Sequence, residues 1–189
     1  MAAAGVDSFD PVKAALTYVL RIAEQVRQCR ALDGGEKVTG EAVKRRARDL
    51  PTLVASAGMV PALTFYMSKA SAETLQTMLD KVLGGEGPSR ELCGSLRDEL
   101  GGSEGAGYST LLALATRALE DMGYLGGVTG SSDTVAALAQ GLLSLRGTER
   151  ELVAERRLLE FLVEVKKLAE ALLRDSSGEG KEEGSKRGG

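Results

Sequence analysis

The chain has 189 residues, a formal net charge of −3, 43% apolar and 27% charged residues, and only 4% aromatics with no Trp. That length suits one domain with a real hydrophobic core and is short for two enzyme-sized units. The absence of His removes imidazole acid–base catalysis, Ser-His and Cys-His nucleophiles, and the ligands most catalytic zinc sites use.

With so few rings, the core must be built from Leu, Val and Ala. Two cysteines, Cys29 and Cys93, are too few for a disulfide framework or a Cys-rich zinc site, and spacing does not say whether they pair. Reduced, partly buried thiols acting as small core residues are expected. Residues Met1 to Asp10 carry neither the basic nor the apolar region of a leader, and no apolar run approaches the roughly 20 residues that span a bilayer. The expectation is a cytoplasmic chain with no membrane contact. Charge is uneven: residues 1–70 hold ten Lys/Arg against seven Asp/Glu, residues 71–142 four against ten, and residues 143–189 ten against ten. A small net charge can therefore conceal a basic face.

In chain order, Val12, Leu16, Val19, Ala23 and Val26 recur at steps of three and four after Asp10 and Pro11, which predicts a capped amphipathic helix over about 11–32. Asp33-Gly34-Gly35 ends it, and a second helix follows over about 40–49 with Thr39 as its candidate cap. Pro51 predicts a break there, with Asp49 capping a new short helix that ends at Gly58. Helices are then expected from Met59 to about Lys69 and from a Ser71 cap to about Leu83. Glycines crowd residues 84–107 around one modest helix at 89–100, marking a variable, loop-rich region. Helices over about 108–122 and 133–145 flank another Gly-rich connection. Thr148 with Glu151 forms a capping box, and Leu158, Leu162, Val165, Ala169 and Leu172 give the last helix a seam for partner helices.

Residues 176–189 contain only Ser, Gly, Glu, Lys and Arg, the composition of a disordered polar tail. No segment alternates with a period of two. The predicted fold is all-α: a single-domain bundle of about six to eight helices over residues 1–175, the first and last being longest.

Little chemistry is legible. The Gly126–Ser132 stretch has no Gly-Lys-Ser/Thr at phosphate-loop spacing. Asp98, Glu99, Glu120 and Asp121 lack a Glu-x-x-His to complete a metal site in a bundle. No catalytic residue, metal or cofactor is assigned. Phe65 and Tyr66 could offer a base-stacking face, but neighbours on a helix diverge, so at least one should be core. The informative feature is Lys44-Arg45-Arg46-Ala47-Arg48, several cations within about one helical turn, with Glu41 and Asp49 as the only local acids. Arg pairs phosphate oxygens well, so this cluster is either a nucleic-acid backbone contact or a solvated helix face. Lys166 and Lys167 are weaker candidates, since nearby Glu residues can pair with them.

The stretch from Arg46 to Lys69, RARDLPTLVASAGMVPALTFYMSK, resembles the small-subunit family of the type III-B CRISPR effector, the Cmr complex. In that family a basic helix leads into a Leu-Pro or similar turn, a short helix, a Ser/Asn-x-Gly break, and an apolar helix closing on Ser-Lys. The last helix, 158–172, is similar to the family's C-terminal helix. The resemblance is specific over Arg46 to Lys69 and weak between Gly84 and Gly147. It implies a small, all-helical, non-catalytic subunit whose copies stack beside the backbone subunits and line the guide and target RNA path in antiviral defence. Catalysis then belongs to other subunits, including the large polymerase-like one. Carried onto this sequence, the RNA-binding residues are Lys44, Arg45, Arg46, Arg48 and Lys69, with Arg21, Arg27 and Arg30 as possible additions. Pro51 and Gly58 would set backbone geometry, and Leu53, Val54, Leu63 and Phe65 would be core. Such a subunit reads shape and phosphate, because guide pairing supplies sequence. The alternative is a helical protein-interaction module whose basic helix binds an acidic protein partner without RNA.

Overall fold

The Asp10 carboxylate accepts the backbone N–H groups of Val12 and Lys13 at 2.9 and 3.0 Å, and so starts α1 (Pro11–Leu32) as the sequence predicts. In this computed structural model, residues 9–32, 38–101 and 105–173 are described; they form eight α-helices and no strand, an all-α bundle. The expected tail at 176–189 lies outside the described residues. The buried face of α1 is Ala15, Tyr18, Val19, Ile22, Gln25, Val26 and Cys29. Val12 and Leu16, expected on the core face, are exposed. Two overlapping apolar stripes run along this helix, and the one bearing Tyr18, Ile22 and Cys29 turns inward, where Tyr18 meets Phe161 edge-on.

α2 (Glu41–Ala57) runs unbroken through Pro51, correcting the expected break. Proline inside a helix loses one backbone bond and costs about 3 kcal/mol. Leu50, Pro51 and Val54 are all buried in a helix that packs on several neighbours, and that burial offsets the loss. Asp49 therefore caps nothing and pairs with Arg46 at 3.1 Å. Gly40, not Thr39, is the N-cap residue of α2, while the Thr39 hydroxyl accepts the Glu41 N–H at 3.2 Å.

The chain turns at Gly58, whose φ of +92° suits glycine, into α3 (Met59–Lys69). The Glu155 carboxylate reaches across to accept the Met59 N–H at 2.7 Å. Ser71 caps α4 (Ala72–Thr77), which passes into a π-helical turn at Met78–Val82. α5 (Arg90–Leu100) is capped by Ser89 and sits inside the expected loop-rich region.

A disulfide joins Cys29 of α1 to Cys93 of α5, with Cα atoms 5.2 Å apart, so these are not the reduced thiols the sequence suggested. Sequence carries no information on this proximity, which arises because α1 and α5 pack together. Both cysteines are fully buried, and the buried Gln25 amide donates to Cys29 Sγ at 3.2 Å. The Leu100 carbonyl accepts the Gly40 N–H at 2.9 Å and ties the end of α5 to the start of α2.

α6 (Tyr108–Asp121) is the central helix, buried almost throughout from Ser109 to Leu119. α7 (Thr134–Leu145) covers the predicted 133–145 helix, with Asp133 as its N-cap residue rather than part of its first turn. α8 (Glu149–Leu172) and α1 are the longest helices and pack on one another. Thr148 accepts the Glu151 N–H as a capping box requires, but the Glu151 carboxylate takes the Gly147 N–H at 2.6 Å. Leu158, Leu162, Val165 and Ala169 are buried as predicted; Leu172 is exposed and Leu173 takes its place inside.

Candidate nucleic-acid interface

The predicted cations lie mainly on α2, whose apolar face (Ala42, Val43, Ala47, Leu50) sets where each neighbouring charge emerges. Lys44 is held by Glu41 one turn earlier, and its side chain is only 14% exposed. Arg46 is 12% exposed: its Nη1 pairs with Asp49, its Nε donates to the Ala106 carbonyl at 3.4 Å, and its guanidinium lies 4.0 Å from the Tyr108 ring centroid. Arg45 is half-buried. Arg48 is 50% exposed and pairs with Glu170 of α8 at 2.5 Å. Lys69 is exposed at the C-terminal end of α3.

Of the five predicted residues, Lys69 and Arg48 reach the surface, Arg48 in an exposed pair with Glu170, whereas Lys44 and Arg46 are absorbed into packing and Arg45 is half-buried. The secondary candidates on α1 are engaged as well. Arg21 donates to the Leu83 carbonyl, Arg27 pairs with Glu24, and Arg30 Nε donates to the Val38 carbonyl at 3.0 Å. A single sequence showed charge at helical spacing but not the distant carbonyls, carboxylates and ring that these Arg residues reach.

Three aromatic residues gather behind Arg46. Tyr66 is buried and donates its hydroxyl to the Arg46 carbonyl at 3.2 Å. Burial raises its pKa, and the Asp49 charge adds to the shift, so it stays a neutral donor. Tyr108 stands 5.0 Å from Tyr66 between ring centroids. Phe65, expected in the core, is instead 45% exposed and packs edge-on to both rings. The helix turns adjacent residues to different sides, and the hydroxyl that finds a buried acceptor draws Tyr66 inward.

Of the carboxylates weighed as metal ligands, Glu99 and Glu120 serve the backbone. Glu99 accepts the Thr110 N–H at 2.7 Å at the start of α6; burial raises its pKa, against the lowering effect of these N–H bonds. Glu120 accepts the N–H groups of Val128 and Thr129 at 2.9 and 3.0 Å and pins the Gly-rich connection before α7. Asp121 accepts the Tyr18 hydroxyl and pairs with Arg117. Among the described residues no group of three or more His, Cys, Asp or Glu is placed to hold a metal, and no helix is long and apolar enough to cross a membrane.

Comparison with family models, curated proteins and solved structures finds no match to this chain.

Proposed function

We propose that the chain is a non-catalytic structural subunit of a CRISPR RNA-guided, RNA-targeting ribonucleoprotein of the type III-B Cmr kind. In this reading it is cytoplasmic, stacks with neighbouring copies beside the backbone and large polymerase-like subunits, and lines the guide and target RNA path in antiviral defence. The observation that carries the reading is the unit Arg46 to Lys69, whose order of basic helix, Gly break and apolar helix closing on Ser-Lys marks the resemblance. In the fold this unit is the second half of α2, the Gly58 turn and α3, with Arg48 and Lys69 exposed. Those two cations are the phosphate contacts, and Arg46 supports them from behind. Disulfides are rare in reducing compartments, but burial of both sulfurs slows exchange with free thiols, so this bond would persist in the cytoplasm once formed.

The second reading is a helical module whose basic helix binds an acidic protein partner without RNA. A different surface also speaks for a protein partner: Pro11, Val12, Leu152, Leu159 and Val163, with Glu155, Arg156, Glu160 and Glu164 beside them, line an open groove between α1 and α8, and this mixed apolar and acidic lining suits a protein better than a polyanion. The Arg48→Glu/Lys69→Glu double variant tests the choice, with circular dichroism verifying the helical fold. The RNA reading expects loss of RNA from the assembled particle, and a wild-type affinity whose logarithm falls against log salt by roughly 0.7 per phosphate contact. Partner binding that survives RNase and is lost in the double variant supports the module instead.

A further inference from the structure

We propose that Phe65 and Lys69 form a subsite for one nucleotide of single-stranded RNA, the Phe65 ring stacking on the base and the Lys69 ammonium holding the adjacent phosphate. The inference rests on the RNA-lining reading and assigns a residue that the basic cluster does not include.

Phe65 is the one exposed aromatic residue: Phe9, Tyr108 and Tyr124 are half-buried, and Tyr18, Tyr66 and Phe161 are buried. Its ring is held in place. Tyr66 meets it at 6.0 Å and 69°, and Tyr108 at 6.1 Å and 76°, both edge-to-face. Tyr108 is in turn fixed by the Arg46 guanidinium. A ring mounted in this way loses little freedom when a base settles on it, and base–aromatic stacking tolerates any sequence because every base has a π-face. Tolerance of sequence is what a subunit lining a guide or target strand of variable sequence requires wherever that strand is unpaired.

Charge selects the occupant. Lys69 is one turn beyond Phe65, so the two side chains share a face with Cβ atoms about 5–6 Å apart. It is the only charged residue of α3, which carries no carboxylate to repel a phosphate. A ring and an ammonium one turn apart match the base and phosphate of a nucleotide. An exposed Phe serving an acidic protein would need no such rigid mount.

The test uses the full chain within the ribonucleoprotein purified from its native cells, carrying thiouridine-labelled RNA. Photocrosslinking is followed by mapping of the crosslinked peptides. The expected result is a crosslink within the Asp49–Lys69 peptide. Phe65→Tyr retains it, whereas Phe65→Leu, which keeps apolar bulk and removes the π-face, weakens retention of RNA at this site about tenfold without changing the melting temperature. Lys69→Gln weakens it by a smaller factor and flattens its salt dependence. If Phe65→Leu equals wild type while RNA still crosslinks elsewhere on the chain, the subsite is overturned and the RNA-lining reading stands. If no peptide of the chain crosslinks to RNA, both fall. A protein crosslink at Phe65 in place of RNA also overturns the subsite.

Discussion

The Arg46 guanidinium stacks 4.0 Å from the centroid of the Tyr108 ring, joining α2 to the first residue of α6. The same side chain pairs with Asp49 and donates to the Ala106 carbonyl, so its first role is to hold the fold together. Arg46→Ala should lower stability by roughly 1–2 kcal/mol in chemical denaturation, from loss of the cation–π contact and the packed stem. Arg46→Lys should recover only part of this, because an ammonium keeps the charge but not the planar stack. Equal stability in all three proteins would remove the structural role.

The Cys29–Cys93 bond closes a sequence separation of 64 residues between two core helices. Cross-linking a loop of that size stabilises by about 4 kcal/mol through the unfolded chain. Cys29→Ala/Cys93→Ala should therefore melt well below wild type, and wild type treated with a strong reductant under partly denaturing conditions should approach the variant. A variant that melts at the wild-type temperature would contradict this.

Glu99 couples stability to pH. Its raised pKa means that, between the ordinary carboxylate value and the raised one, the folded chain keeps a proton the unfolded chain has released. Stability should accordingly fall as pH rises through that window. Glu99→Gln, which leaves a carbonyl to accept the Thr110 N–H, should remove the slope, while Glu99→Ala should destabilise at every pH by orphaning the start of α6. Melting curves from about pH 4 to about pH 7 read both effects.

Gly107 and Gly123 separate backbone strain from steric clash. Both have positive φ, +85° and +74°. A Cβ at Gly107 would stand 2.6 Å from the Ala42 carbonyl oxygen, whereas one at Gly123 meets nothing within 4 Å. Gly123→Ala should cost about 1 kcal/mol and Gly107→Ala clearly more. Equal costs would mean that α2 and the start of α6 do not approach as described.

Local signals were legible and long-range ones were not. Asp10, Ser71 and Thr148 cap helices where their sequence positions say they should, because each bond spans only two or three residues; Ser89 and Asp133, read only as helix starts, prove to be caps by the same short bonds. Pro51 misleads because its burial, with that of Leu50 and Val54, outweighs its local preference. Leu172 misleads because the chain leaves helical geometry at Leu173, which turns that side chain inward. Exposure of Phe65 rather than Tyr66 depends on a hydroxyl acceptor twenty residues away, and the disulfide on helices that meet only in the folded chain. The basic cluster was visible as charge, but its internal partners, Tyr108, Ala106 and Glu170, lie far along the sequence.

The most direct measurement is to tag the chain in its native cells, purify it gently, and identify the RNA and proteins that accompany it, with and without RNase. The account predicts CRISPR guide RNA together with backbone and large polymerase-like subunits, in an assembly that weakens when the RNA is digested. Protein partners alone, unchanged by RNase and without guide RNA, would contradict it and make Arg48 and Lys69 protein-docking or solvated charges.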